Sequence, residues 1–166
     1  MSSFNPEDFM TQTVDQPLDA ERTLVPEGEY KMYIGDFDSN AFETFNFTYK
    51  RGPMAGQEGA MHKFTAPLVI DDDKVKQTLG TEQPRIFHQC TLDVDDTGQL
   101  QWGPNKNIAL GQLRQAAGQN VAGQPWSINM LRGAGPFMGK VQHRTGKRND
   151  GTQFKIAEVV RFAPIR

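Results

Sequence analysis

The chain has one cysteine, Cys90, among its 166 residues. An internal disulfide is therefore excluded, and a reducing compartment is expected. Long apolar runs are missing as well: nothing approaches the roughly 18 apolar residues that a bilayer-spanning helix needs. The opening Met1-Ser2-Ser3-Phe4-Asn5-Pro6-Glu7-Asp8 has neither a basic start nor an apolar stretch, so no signal peptide is expected. His88-Gln89-Cys90 lacks any paired CxxC or HxxxH, which removes the usual zinc patterns and leaves no metal or cofactor to expect. His62, His88 and His143 have no Ser or Cys nucleophile context, and no catalytic constellation stands out. Hydrophobic residues reach only 37%, yet eleven Phe, three Tyr and two Trp are spread along the chain, which argues for a folded domain.

Charge of one sign is scarce in each part of the sequence. Residues 1–100 hold 18 acidic against 8 basic side chains, a net of −10, whereas residues 101–166 hold 2 against 10, a net of +8. The whole-chain net of −2 conceals this division. Such asymmetry points to a polyanion-binding face or to charge-driven assembly, although surface charge also simply keeps proteins soluble.

Residues 1–25 read as an acidic, flexible N-terminal arm and residues 26–166 as one folded domain. In the arm, Asn5-Pro6-Glu7-Asp8 is a helix-start signature: a capping residue, Pro in the first turn, then carboxylates. In the domain, the alternation of Tyr30, Met32 and Ile34 with Lys31 and Tyr33 predicts a strand, as does that of Phe45, Phe47 and Tyr49. Met61 to Ile70 and Arg85 to Val94 read as further strands, with a short helix capped by Asp71-Asp72-Asp73 and ended by Gly80 between them. Asp95-Asp96-Thr97-Gly98 turns the chain into a strand over Gln99 to Trp102. The clearest helix runs from Asn107, as its cap, to Ala117, with Gly118 as the stop. Phe137 to Arg144 and Gln153 to Phe162 close the chain as a hairpin. This order predicts a mainly β (α+β) fold: a five-stranded, partly open barrel of the oligonucleotide/oligosaccharide-binding (OB) type, with one helix between strands 3 and 4.

Residues 131–166 carry 8 basic and 2 acidic side chains. If the apolar residues Phe154, Ile156, Val160 and Phe162 point inward, Lys140, Arg144, Lys155 and Arg161 project together, with Lys147 and Arg148 at the turn and Arg132 nearby. Such a ribbon is suited to tracking a phosphate backbone. Single strands also require flat surfaces for base stacking. Tyr33, beside Lys31, and Trp102, near Lys106, are the preferred platforms. Phe45, Phe47 and Tyr49, which run into Lys50-Arg51, are expected in the core first. Three other motifs fall away. Ala134 to Val141 nearly spells a phosphate loop but has Val141 where Ser or Thr must meet magnesium. Asp93 to Gly98 begins like a calcium loop, but Pro104 stands where a bidentate Glu is needed, so a plain turn is expected. Asp71-Asp72-Asp73-Lys74 has no second acidic cluster with which to build a nuclease centre.

Three stretches carry a resemblance: Pro26-Glu27-Gly28-Glu29-Tyr30, Asn107-Ile108-Ala109-Leu110-Gly111-Gln112-Leu113-Arg114, and Gly139-Lys140-Val141 with Ala157-Glu158-Val159-Val160. Over most of residues 26–164 the chain resembles small phage-encoded OB-fold proteins that bind single-stranded DNA. That resemblance implies a non-enzymatic, non-sequence-specific, DNA-coating role in phage replication or recombination, in the cytoplasm of an infected bacterium. Many such proteins end in an acidic tail that recruits partners, whereas this chain ends Pro164-Ile165-Arg166. The acidic, Phe-bearing arm is the expected substitute, docking replication or recombination proteins or competing with DNA for the basic hairpin. The alternative from a different class is a virion structural or assembly protein, with acidic and basic halves of neighbouring copies in contact and a homo-oligomer as the product.

Overall fold

The computed structural model describes residues 3–165; Met1 and Ser2 of the expected arm, and Arg166 at the other end, lie outside the described residues. Six strands form one antiparallel sheet: β1 (Gly28–Ile34), β2 (Phe42–Thr48), β3 (Glu58–Ile70), β4 (Arg85–Leu92), β5 (Phe137–Lys147) and β6 (Gln153–Ala163). The helices are α1 (Pro6–Thr11), α2 (Asp73–Leu79) between β3 and β4, and α3 (Ile108–Ala116) between β4 and β5. The fold is therefore mainly β, with six strands where five were expected. The stretch Gln99 to Trp102 supplies no strand: only Leu100 bridges back, to Val94. Among the described residues no helix is long and apolar enough to cross a membrane.

β3 organises the sheet because it is the longest strand and its C-terminal half is apolar on both faces, the pattern of a central strand. One of its edges pairs with β4, from His62↔Leu92 to Val69↔Arg85. Along the other edge β2 and β1 lie end to end: Thr48↔Glu58 to Phe42↔Phe64, then Ile34↔Leu68 to Met32↔Ile70. β1 continues to β5 (Met32↔Phe137 to Gly28↔Val141), and β5 pairs with β6. Among the described residues no ladder joins β6 back to β4; the seam is bridged by side chains, with the His88 ring edge-on to Phe162 at 5.2 Å between centroids.

The inward phase of each strand fills one core: Met32 and Ile34; Phe64, Ala66, Leu68 and Ile70; Ile86 and Cys90; Phe137 and Val141; Val159. Leu110 and Leu113 of α3 close one end, and Val75 of α2 enters the same cluster. Fully burying each of the Val, Leu, Ile, Met and Phe side chains among them contributes roughly 1.5–3 kcal/mol. Burial also pushes the Cys90 thiol up to about 12.

Helix boundaries follow local chemistry. Asn5 Oδ1 accepts the Glu7 N–H and Asp72 Oδ1 accepts the Val75 N–H, both as caps. Gly80, at φ +69°, ends α2. Asn107 differs from expectation: it precedes α3 with φ +52° and makes no side-chain cap. Its side chain instead accepts the Asp93 N–H and donates to the carbonyls of Asp93 and Gln101, while its own N–H donates to Asp93 Oδ2. These four bonds clamp the base of the 93–107 loop. Within it, Asp95 Oδ1 accepts from Thr97 and Gln99, building the turn expected there.

Candidate nucleic-acid interface

The closing hairpin departs from simple alternation at one place. Lys140 pairs with Arg161 but Val141 pairs with Val159, so Val160 is an extra, bulged residue. The bulge reverses the phase of everything before it on β6. Lys140, Gln142, Arg144 and Gly146 thus share a face with Arg161, Glu158, Ile156 and Phe154. Lys155 lies on the opposite face, beside Thr145, together with Lys147. The expectation that Lys140, Arg144, Lys155 and Arg161 project together is corrected accordingly. Inward, it is Phe162, Val159 and Ala157 that meet Gly139, Val141 and His143, and not Phe154, Ile156 and Val160.

Three of the cations are engaged by the protein's own carboxylates. Arg144 Nε donates to Glu158 at 3.2 Å, Arg161 to Glu29 at 3.3 Å, and Arg132 to Asp36. The Arg132 guanidinium holds the Asp36 carboxyl below its ordinary range. Two of these pairs close the acidic half of the chain onto the basic half within one molecule. All three pairs are open to solvent, where ion pairs are weak, so an incoming phosphate can displace them. Lys140, Lys147, Arg148 and Lys155 make no ion pair among the described residues. Arg148 donates to Thr152 Oγ1 and lies over the Phe154 ring at 5.6 Å. That ring crosses Gly146, where a methyl group would sit 2.5 Å from it.

A second surface comes from β2, β3 and β4. Their outward phase carries Glu43, Phe45 and Phe47 on β2, Gly59, Met61, Lys63 and Thr65 on β3, and Arg85, Phe87, Gln89 and Thr91 on β4. Phe45 is 47% exposed, Phe47 38% and Phe87 64%, large values for apolar rings on a sheet. Lys63 Nζ stands 5.3 Å from the Phe45 ring centre. Phe47 and Tyr49 meet edge to face, 4.9 Å between centroids, and their rings lie across Gly59. A methyl there would be 2.7 Å from Phe47, so glycine makes room for both rings over β3. Phe87 is opposite Pro67, six residues along β3 from Met61, the partner of Phe45. At about 3.3 Å per residue Phe45 and Phe87 are offset by roughly 20 Å along β3.

The two preferred stacking residues are apart from this row. Tyr33 is half-buried on β1, with Gly135 packed so closely that a methyl there would be 2.9 Å from its Cβ. Trp102 is 80% exposed in the clamped 93–107 loop. Phe45 and Phe47, expected in the core, face solvent, and Phe87 was not anticipated. Alternation carries its signal: Ile86, His88, Cys90 and Leu92 are buried or half-buried, which leaves Phe87 in phase with Arg85, Gln89 and Thr91.

Outward rings on a sheet beside isolated cations can stack planar groups and neutralise anions spaced along them. Comparison of the chain with family models, curated proteins and solved structures finds no match.

Proposed function

We propose that the protein binds single-stranded nucleic acid, single-stranded DNA first, without strong sequence preference and without catalysis. The observation that carries this reading is the outward row of Phe45, Phe47 and Phe87 beside Lys63 and Arg85. Sequence-tolerant binding needs stacking rings and backbone cations on one track, each stacked base contributing about 1–3 kcal/mol. The β5–β6 hairpin then lends its exposed cations: Lys140, with Arg144 and Arg161 once their carboxylates yield, on one face, and Lys147 and Lys155 on the other. Arg148 on Phe154 repeats the ring-and-cation arrangement at the tip. Trp102 is a secondary stacking position; Tyr33 and Arg132 are peripheral.

An OB-like barrel is the architecture we assign. What supports it is the end-to-end placement of β1 and β2 along one edge of β3. Counted as one interrupted strand, they bring the total to five, put α3 between the third and fourth, and leave the barrel open between β4 and β6. In that architecture the second and third strands and two flanking loops form the binding face. Here those strands are β3 and β4, and the loops are the β2–β3 and β5–β6 connections. A role in phage replication or recombination, inside the infected cell, is the setting this reading fits, with the acidic arm competing for the cations or docking partner proteins. Assembly through acidic-to-basic contacts between copies is less favoured, because Arg161–Glu29 and Arg132–Asp36 use part of that charge internally.

Titration with oligo-dT at two salt concentrations, followed by the fluorescence of Trp102 and Trp126, tests the function. Salt-sensitive binding is expected. No binding at low salt, with salt-sensitive self-association instead, would favour assembly and reject our reading.

A further inference from the structure

β2 presents a free edge. Among the described residues only β3 pairs with it, because β1 lies beyond its end and not beside it. The ladder fixes which groups face outward. Tyr49 N–H donates inward to Gln57 O, and strict antiparallel alternation then turns Glu43, Phe45 and Phe47 toward β3. The main-chain groups of Thr44, Asn46 and Thr48 point away from the sheet. Consistently, the Phe42 N–H turns away from β3 to the Ser39 carbonyl.

Natural sheets blunt such edges with lysine, proline or a bulge. β6, at the far end of the sheet, has all but the proline: Lys155, Arg161 and the Val160 bulge. β2, Phe-Glu-Thr-Phe-Asn-Phe-Thr, has none of the three and one charge, and all seven of its residues are exposed.

We infer that β2 pairs antiparallel with β2 of a second copy, on a two-fold axis at Asn46. The segment is self-complementary about that point. Asn46 meets Asn46 and Thr44 meets Thr48, giving about six main-chain hydrogen bonds across the dyad. Phe45 meets Phe47 in both directions, placing four rings together as cross-strand aromatic pairs, a favourable class. Glu43 falls opposite Tyr49, so no like charges meet. One strand pair with its rings buries little area, and a reversible dimer in the micromolar range is expected. The pairing uses the edge and leaves the outward face open. If the proposed stacking face is correct, it therefore becomes continuous across both copies.

Sedimentation velocity on the full-length protein without nucleic acid tests this separately from DNA binding. A concentration-dependent dimer is expected, and a monomer throughout the micromolar range would overturn the inference. Asn46→Pro removes only an outward N–H, the one place a strand tolerates proline. It should weaken dimerisation by about tenfold or more, since both copies lose a bond at the axis. An unchanged dimer would show that another surface is used. Should the proline variant unfold, mild oxidation of Asn46→Cys gives the same answer. It is expected to cross-link, whereas Thr48→Cys is not, because the two Thr48 positions lie about 13 Å apart, beyond disulfide reach. Cys90 is buried and adds no background. Equal cross-linking of the two variants, or none in either, would refute the register.

Discussion

Replacing Phe87 with Ala separates binding from stability. The side chain is 64% exposed on the outward phase of β4, and its ladder partner Pro67 is held by the main chain, so truncation removes little buried surface. Phe64, by contrast, is fully buried on the inward phase of β3, and truncation at such a site costs about 3–5 kcal/mol. If Phe87 stacks one base, its loss costs about 1–3 kcal/mol of binding, a weakening of roughly five- to 150-fold in oligo-dT affinity. The melting temperature should stay within a degree or two, and the slope of log affinity against log salt should not change, because no cation is lost. Phe45→Ala should behave in the same way. Fluorescence anisotropy of labelled oligo-dT at several salt concentrations, with thermal melting alongside, measures all three quantities. Unchanged affinity in both variants would refute the stacking row, and a parallel fall in melting temperature would make the rings structural.

Further outcomes follow from other parts of the fold. Lys140→Ala with Lys147→Ala should flatten the salt slope for single-stranded DNA by about 1.4, at roughly 0.7 per phosphate contact, whereas Arg144→Ala should change it less because Glu158 already engages that side chain. Asn107→Ala should lower stability by about 2–4 kcal/mol in urea unfolding: it loses three side-chain hydrogen bonds and leaves alanine at φ +52°. Burial lowers the His88 pKa, with Glu158 opposing weakly, so the unfolded chain binds the proton first as pH falls. Stability should therefore decline as pH drops from about 6.5 toward the lower folded value, and His88→Phe should flatten that part of a melting-temperature profile. Val25, expected at the end of the arm, is instead buried in the core, and its carbonyl accepts from His143 Nε2. Deleting residues 1–23, which spares it, should tighten oligo-dT binding at low salt if the arm competes; unchanged or weaker affinity removes that role.

How much of this was legible depends on whether composition or register carried it. The strands around Tyr30–Ile34 and in the closing hairpin were readable because hydrophobic alternation reports one buried face. The helix before Gly118 was readable from Leu110 and Leu113, both of which are buried. The bulge at Val160 was not, because Val159 and Val160 are alike, and an extra residue between two valines leaves no trace in the pattern. That single residue put Lys155 on the wrong face. Ion pairs such as Arg161–Glu29, 132 residues apart, depend on β1 lying beside β5, which no local pattern reports. Asn107 has the residue type of a cap, whereas its left-handed backbone accompanies a side chain bonded to Asp93. Phe87 was within reach of alternation alone. The rings of Phe45 and Phe47 were not, because they share the outward phase of β2 with Glu43 while Thr44 and Asn46 take the inward one, so apolarity alone points to the wrong face.

The most direct test of the binding face is ultraviolet cross-linking of oligo-dT to the wild-type protein, followed by peptide mapping. Adducts should concentrate at Phe45, Phe47, Tyr49 and Phe87, with the β5–β6 tip as the second site. Adducts confined to the arm or to α3, or none at low salt, would contradict the assignment of that face.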